Sequence, residues 1–235
     1  MFGTFGSAFE LLPGLISACV LFFALDLWRR TVEAGRTLGE HGGPIAAGVV
    51  LAAWAGLALL ATHIPALGRT VASTPGLQPA LLVVTIIAAV LAAWPARCRR
   101  AFDSVPLESM MTFFYWRAVF GALIIAAFAA GRLPAGFAIP AGLGDIAVTM
   151  LMVVVLALRP ASGGMPRGPF MLWNAIGLLD LISVPVVAVL VLRSWAEQRG
   201  LSGHFGLQLF AVPLFIAIHL HIFGRLWREH AVARA

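Results

Sequence analysis

Residues 170–192 read FMLWNAIGLLDLISVPVVAVLVL. The stretch is almost wholly apolar and long enough to span a bilayer, which takes roughly 20 such residues. Yet Asn174 and Asp180 lie within its body. An ionisable group there costs about 2.5–3.5 kcal/mol on insertion scales, so Asp180 needs a partner or a proton.

The rest of the chain has the same character. Of 235 residues, 61% are hydrophobic and only 11% charged, against about 25% charged in a soluble domain. The apolar residues come in long runs, as in a polytopic membrane protein. All 16 basic residues are Arg, and the formal charge is +6. These arginines sit at the ends of apolar spans, where cytoplasmic loops collect positive charge. The charge is thereby explained without nucleic acid, which is not expected as a partner; the lipid bilayer is. Cys19 and Cys98 have no metal spacing, and a disulfide between a span and an Arg-rich loop is not expected. The N-terminal run lacks a basic n-region, has Glu10 ahead of it and ends in Trp28-Arg29-Arg30. It reads as a first membrane helix rather than a cleaved signal.

The expected fold is therefore all-α: a polytopic transmembrane helical bundle forming one domain over residues 1–235. Its seven spans fall at about 7–28, 44–65, 75–95, 113–131, 141–158, 170–192 and 206–227. With the N-terminus outside and the C-terminus inside, eleven arginines fall in inner segments and four in outer ones, Arg117 standing at the inner end of the fourth span. That bias fixes the expected orientation. Residues 101–112, AFDSVPLESMMT, read as an amphipathic interfacial segment or an ordinary connector. Residues 132–144, RLPAGFAIPAGLG, read as a tight outer loop or a partly re-entrant turn.

Depth estimated at about 1.5 Å per residue sorts the polar groups into two layers. Asp26, Arg117, Asn174 and His221 fall near the inner face, with His219 and Asp180 slightly deeper; Glu10, His63, Asp145 and Gln208 fall near the outer face. Helical spacing puts Trp173, Gly177, Asp180 and Val184 on one stripe. Gln208, Val212, Phe215 and His219 form another, with His221 turned away above Arg225. Gly142, Asp145 and Thr149 share a face, as do Arg117 and Gly121. Gly177 invites close approach of a neighbouring backbone. Asp145 follows Pro140-Ala141-Gly142-Leu143-Gly144 and reads as a first-turn carboxylate stabilised by the helix dipole, with a ligand or cation role as the alternative. Arg117, Asp180, Asn174 and His219 are expected to converge on one intramembrane site. Two readings stand: a functional site, which intramembrane ionisable groups favour, and a polar clamp that only holds helices in register.

The pieces YWRAVFG (115–121), LPAGFAIPAGLGD (133–145), WNAIGLLDL (173–181), VPL (212–214) and HL (219–220) together resemble a family of small, uncharacterised bacterial integral membrane proteins. The resemblance covers spans four to seven and implies a multi-pass protein of the bacterial cytoplasmic (inner) membrane. In it Arg117, Asp145, Asn174, Asp180 and His219 stand out. It implies no activity. The loop RSWAEQRGLSGHFG (193–206) is shorter here than is usual for that family.

The leading expectation is transport of a small solute or ion, proton-coupled in one form, or small-molecule binding through this Asp/Arg/His/Asn layer. The alternative is a structural or accessory subunit. Below these stand a b-type haem protein, for which His219 and His63 lie at unmatched depths, and an intramembrane lipid enzyme, for which Ser183 lies beyond Asp180 without a base. No spacing is a catalytic signature or a metal site, and no cofactor is specified.

Overall fold

The computed structural model describes residues 12–37, 39, 42–64, 66, 70, 74, 77–93, 96–160, 164–199 and 207–232, and every regular element among them is helical. In chain order these are α1 (Leu12–Thr37), α2 (Gly42–His63), α3 (Leu77–Ala93), α4 (Ala96–Ser104), α5 (Leu107–Thr112), α6 (Tyr115–Ala129), α7 (Ala135–Ala157), α8 (Arg167–Arg199) and α9 (Val212–Val232). One π-helical turn, Leu207–Ala211, leads into α9. The Trp54 indole donates to the Leu209 carbonyl of that turn at 2.8 Å.

Five stretches are long and apolar enough to cross a membrane: Gly42–Leu60, Leu107–Ala129, Ala135–Ala157, Arg167–Ala188 and Leu209–Glu229. Where the sequence pointed to spans at 7–28 and 75–95, the chain forms α1, which runs on to Thr37, and α3, whose apolar part is Ala80–Leu91. Large apolar side chains such as Phe22, Leu57, Leu172, Leu179 and Leu190 point outward, while Arg117, Asn174 and His219 are fully buried. This inside-out distribution suits a protein whose surroundings are lipid rather than water.

The span α9 is central: 61% of it is buried, against 28% for the α8 span. Its Phe215 meets Phe23, Phe113, Phe114 and Phe120 in an aromatic core that joins α1 to α6 and α9. Helices α6 and α7 form the most intimate pair, followed by α7 with α8.

Two boundaries differ from expectation and matter for function. The span α7 begins at Ala135 rather than at 141, so 135–144 are helical and not an outer loop or re-entrant turn. The turn is much tighter. Gly131 adopts φ +68°, its amide donates to the Phe128 carbonyl at 2.8 Å, and the Arg132 amide donates to Ala127 at 2.9 Å. That is a glycine C-cap of the Schellman type, after which Pro134 sits extended at the N-cap of α7. Pro140 lies inside the helix, which membrane helices tolerate. The fourth span starts earlier too, since α5 and α6 together make the apolar stretch Leu107–Ala129.

The segment 101–112 accordingly divides between α4 and α5, and arginines from three other parts of the chain anchor it. Arg30 donates to the Ser109 carbonyl at 2.6 Å, Arg225 to the Val105 carbonyl at 2.6 Å, and Arg228 to Asp103 at 2.8 Å. Arg159 pairs with Glu108.

Within the α6–α7 pair, glycine sets the separation. A Cβ at Gly121 would stand 2.5 Å from the Gly142 carbonyl oxygen and 3.0 Å from the Asp145 Cβ. Gly121→Ala is therefore expected to lower stability by about 1–3 kcal/mol through overpacking, read as a fall in melting temperature of the detergent-solubilised protein. Gly136→Ala, whose added carbon would meet Val191 at an ordinary 3.5 Å, is expected to leave the melting temperature unchanged or slightly raised.

Candidate functional site

Arg117 carries no exposed surface and spends its guanidinium on two neighbouring helices. Its Nε donates to Asp145 Oδ1 of α7 at 2.7 Å. Its Nη1 donates to the Gly177 carbonyl of α8 at 3.0 Å, and its Nη2 donates to Asp180 Oδ2. A planar guanidinium suits such branching because its donors point along fixed, divergent directions. One turn on, the Thr149 hydroxyl donates to the Asp145 backbone carbonyl at 3.0 Å.

A second polar pair lies beside this triad. Asn174 Nδ2 donates to the His219 carbonyl at 3.1 Å, leaving Asn174 Oδ1 to accept from His219 Nδ1 at 2.7 Å. That assignment makes Nδ1 the protonated nitrogen and leaves the lone pair on Nε2. His219 Nε2 is buried and has no hydrogen-bond partner among the described residues. Phe114 and Trp173 wall the ring in at centroid distances of 4.2 and 5.5 Å. Trp173 is itself fixed by a 3.1 Å bond from its indole to the Val148 carbonyl.

Gly177 joins the two sets. A Cβ there would approach His219 Cε1 to 2.7 Å, His219 Nε2 to 2.9 Å and Arg117 Nη1 to 3.2 Å. The glycine thus makes room for two side chains, where the sequence pointed to a neighbouring backbone. Gly144 does the same for Asp180, whose carboxylate occupies the place its Cβ would take.

Asp145, expected in the outer layer, stands at the level of Arg117. Arg117 is the eleventh residue counted from Leu107, Asp145 the eleventh from Ala135, Gly177 the eleventh from Arg167 and His219 the eleventh from Leu209, in spans of 23, 23, 22 and 21 residues. All four are central. Asp145 is therefore neither an outer-face group nor a first-turn carboxylate, because its helix starts ten residues ahead of it. Arg117 is likewise not at the inner end of its span, and its side chain points to the carboxylates rather than to headgroups.

The remaining polar residues stand elsewhere. Asp26 pairs with Arg30 at 3.2 Å and accepts from the Trp116 indole at 3.1 Å. His63 shares a 3.0 Å hydrogen bond with Ser17 at an exposed helix end. His221 is turned from the site, as its spacing indicated, and faces Phe102 and Asp103. Ser183 donates to the Asp180 carbonyl within its own helix at 2.8 Å. Glu10 and the Gln208 side chain lie outside the described residues. Among the described residues, no group of three or more His, Cys, Asp or Glu is placed to hold a metal ion.

The profile of a family described as a domain of unknown function, DUF8737, matches residues 74–227. The chain belongs to the DUF8737 family. The matched region begins ahead of α3 and reaches into the last turns of α9, so it takes in α3 as well as the four helices that carry the resemblance. It contains Arg117, Asp145, Asn174, Asp180 and His219 together. No curated protein and no solved structure matches the chain.

Removing the guanidinium strands two carboxylates. Arg117→Leu is expected to cost about 3–5 kcal/mol, as breaking a buried ion pair does. In a double-mutant cycle, Arg117→Leu combined with Asp145→Asn is expected to cost less than the sum of the single changes. Both are read from thermal unfolding of the purified protein.

Proposed function

We propose that the chain is a seven-span protein of the bacterial cytoplasmic membrane, N-terminus outside, that binds and moves a proton or small cation through the Arg117–Asp145–Asp180 triad. The carrying observation is the charge count at mid-span: one guanidinium is bonded to two carboxylates. With both carboxylates ionised the set bears a net charge of −1, which a low-dielectric interior disfavours. One proton or one monovalent cation restores neutrality.

Access differs across the triad in the direction this reading needs. The Arg117 side chain is fully enclosed, while 13% of the Asp145 side chain and 19% of the Asp180 side chain remain exposed. The carboxylates are thus the groups that meet whatever enters. The unpartnered Nε2 of His219, across Gly177 from the guanidinium, offers the next acceptor along the layer. Arginine at the membrane faces supports the orientation, with Arg30, Arg159, Arg225 and Arg228 all gathered on residues 103–109.

A second reading keeps the same geometry and assigns it to structure: the guanidinium ties α6, α7 and α8 together as an internal clamp. The two readings separate on Asp180→Asn in proteoliposomes loaded with a pH-sensitive dye, under an imposed potential. The expected result is loss of proton or cation flux in a variant that still folds. Flux equal to that of the unaltered protein overturns the transport reading and leaves the clamp.

A further inference from the structure

A basic cluster lies away from the triad, at the end of α9. Ala217, His221, Gly224 and Arg228 recur at helical spacing on one face. They line a cavity of about 200 Å³ with Leu220, Val90 of α3 and Arg99 of α4. Two guanidinium groups and an imidazole thus border a space that the protein leaves empty. The cluster is only partly neutralised from within. Asp103 Oδ1 accepts from Arg228 Nη2 at 2.8 Å and stands 3.2 Å from His221 Nε2. Arg225, the other cation on this turn, is committed to Glu229 at 3.1 Å and to the Val105 carbonyl. Gly224 leaves ordinary room for the Arg228 guanidinium, which a Cβ there would meet at 3.5 Å.

Ala217 and His221 also line a narrow apolar slot that runs between α2, α3 and α9 past Val50, Trp54, Ala89 and Leu214. Charge at one end and a hydrocarbon-lined slot at the other is the pattern of an amphiphile. Trp227, 77% exposed on the turn beside Arg228, marks the interfacial level at which aromatic belts sit. A basic pocket between membrane helices at headgroup depth suits a lipid phosphate.

We propose that this site binds an anionic phospholipid, its phosphate between Arg99 and Arg228 and one acyl chain along the Trp54–Ala89–Leu214 slot. His221 borders the headgroup pocket, with Asp103 of α4 behind it. The proposal is independent of the triad and of what the triad moves.

Native mass spectrometry of the full chain in detergent tests it, with dioleoylphosphatidylglycerol, dioleoylphosphatidylcholine and inorganic phosphate added separately. The phosphatidylglycerol adduct is expected to survive activation that removes phosphatidylcholine. Arg99→Gln, at an exposed side chain, is expected to weaken it about fivefold, and Arg99→Gln with Arg228→Gln to weaken it further. Asp180→Asn is expected to leave it unchanged. Equal retention of the two lipids, or retention unaltered in Arg99→Gln, overturns the proposal. Displacement of phosphatidylglycerol by inorganic phosphate also overturns it and assigns the pocket to the free anion.

Discussion

A guanidinium with no exposed surface, at the centre of a membrane span, is the constraint around which this structure is arranged. Moving such an ion from water into a low-dielectric interior carries an effective penalty of several kcal/mol even after relaxation. Arg117 meets it by donating to Asp145, Asp180 and the Gly177 carbonyl at once. Each acceptor comes from α7 or α8, so the position of both helices against α6 follows from satisfying one side chain. Because two of the acceptors are acids, the solution leaves a surplus negative charge. That surplus turns an internal fastening into a site with an affinity for a proton or cation.

The surrounding residues supply space and enclosure. Gly121 and Gly142 bring the α6 and α7 backbones together, Gly144 admits the Asp180 carboxylate, and Gly177 admits both the imidazole and the guanidinium. An added Cβ would fall first on the Gly142 carbonyl at Gly121, on the Asp180 carboxylate at Gly144, on the Ile125 side chain at Gly142 and on the His219 ring at Gly177. Phe114 and Trp173 then flank His219, and Phe215 continues the same apolar wall toward α1. The imidazole is held by Asn174 through Nδ1 alone, so the geometry of its free nitrogen is set without that nitrogen being used.

Much of this was legible in the sequence. The stripe Trp173–Gly177–Asp180 follows from helical spacing, and the cost of an acid in an apolar run pointed to Arg117 as the partner. The depth of Asp145 is not legible in the same way, because Pro140 and the glycines around it read as loop whereas the helix runs from Ala135. The hairpin itself held the missing signal. Arg117 and Asp145 each stand fourteen residues from Gly131, the glycine whose positive φ turns the chain, so a tight α6–α7 turn there places them opposite one another. Side-chain destinations were less accessible: periodicity turns His221 away from the triad, but only the fold shows that Asp103 and Phe102 await it.

Polar interactions are thus concentrated at two levels, one at mid-span and one where arginines from α1, α9 and the end of α7 meet the α4–α5 connector. The central claim is that Arg117 turns inward, to both acids at once, rather than outward to headgroups. Solid-state NMR of the protein in phosphatidylglycerol bilayers tests this most directly, through dipolar couplings from the Arg117 guanidinium nitrogens. The account predicts couplings to the Cγ of Asp145 and to the Cγ of Asp180 in a single population, with none to lipid phosphorus. Coupling of Arg117 to lipid phosphorus, or to one aspartate only, would contradict it.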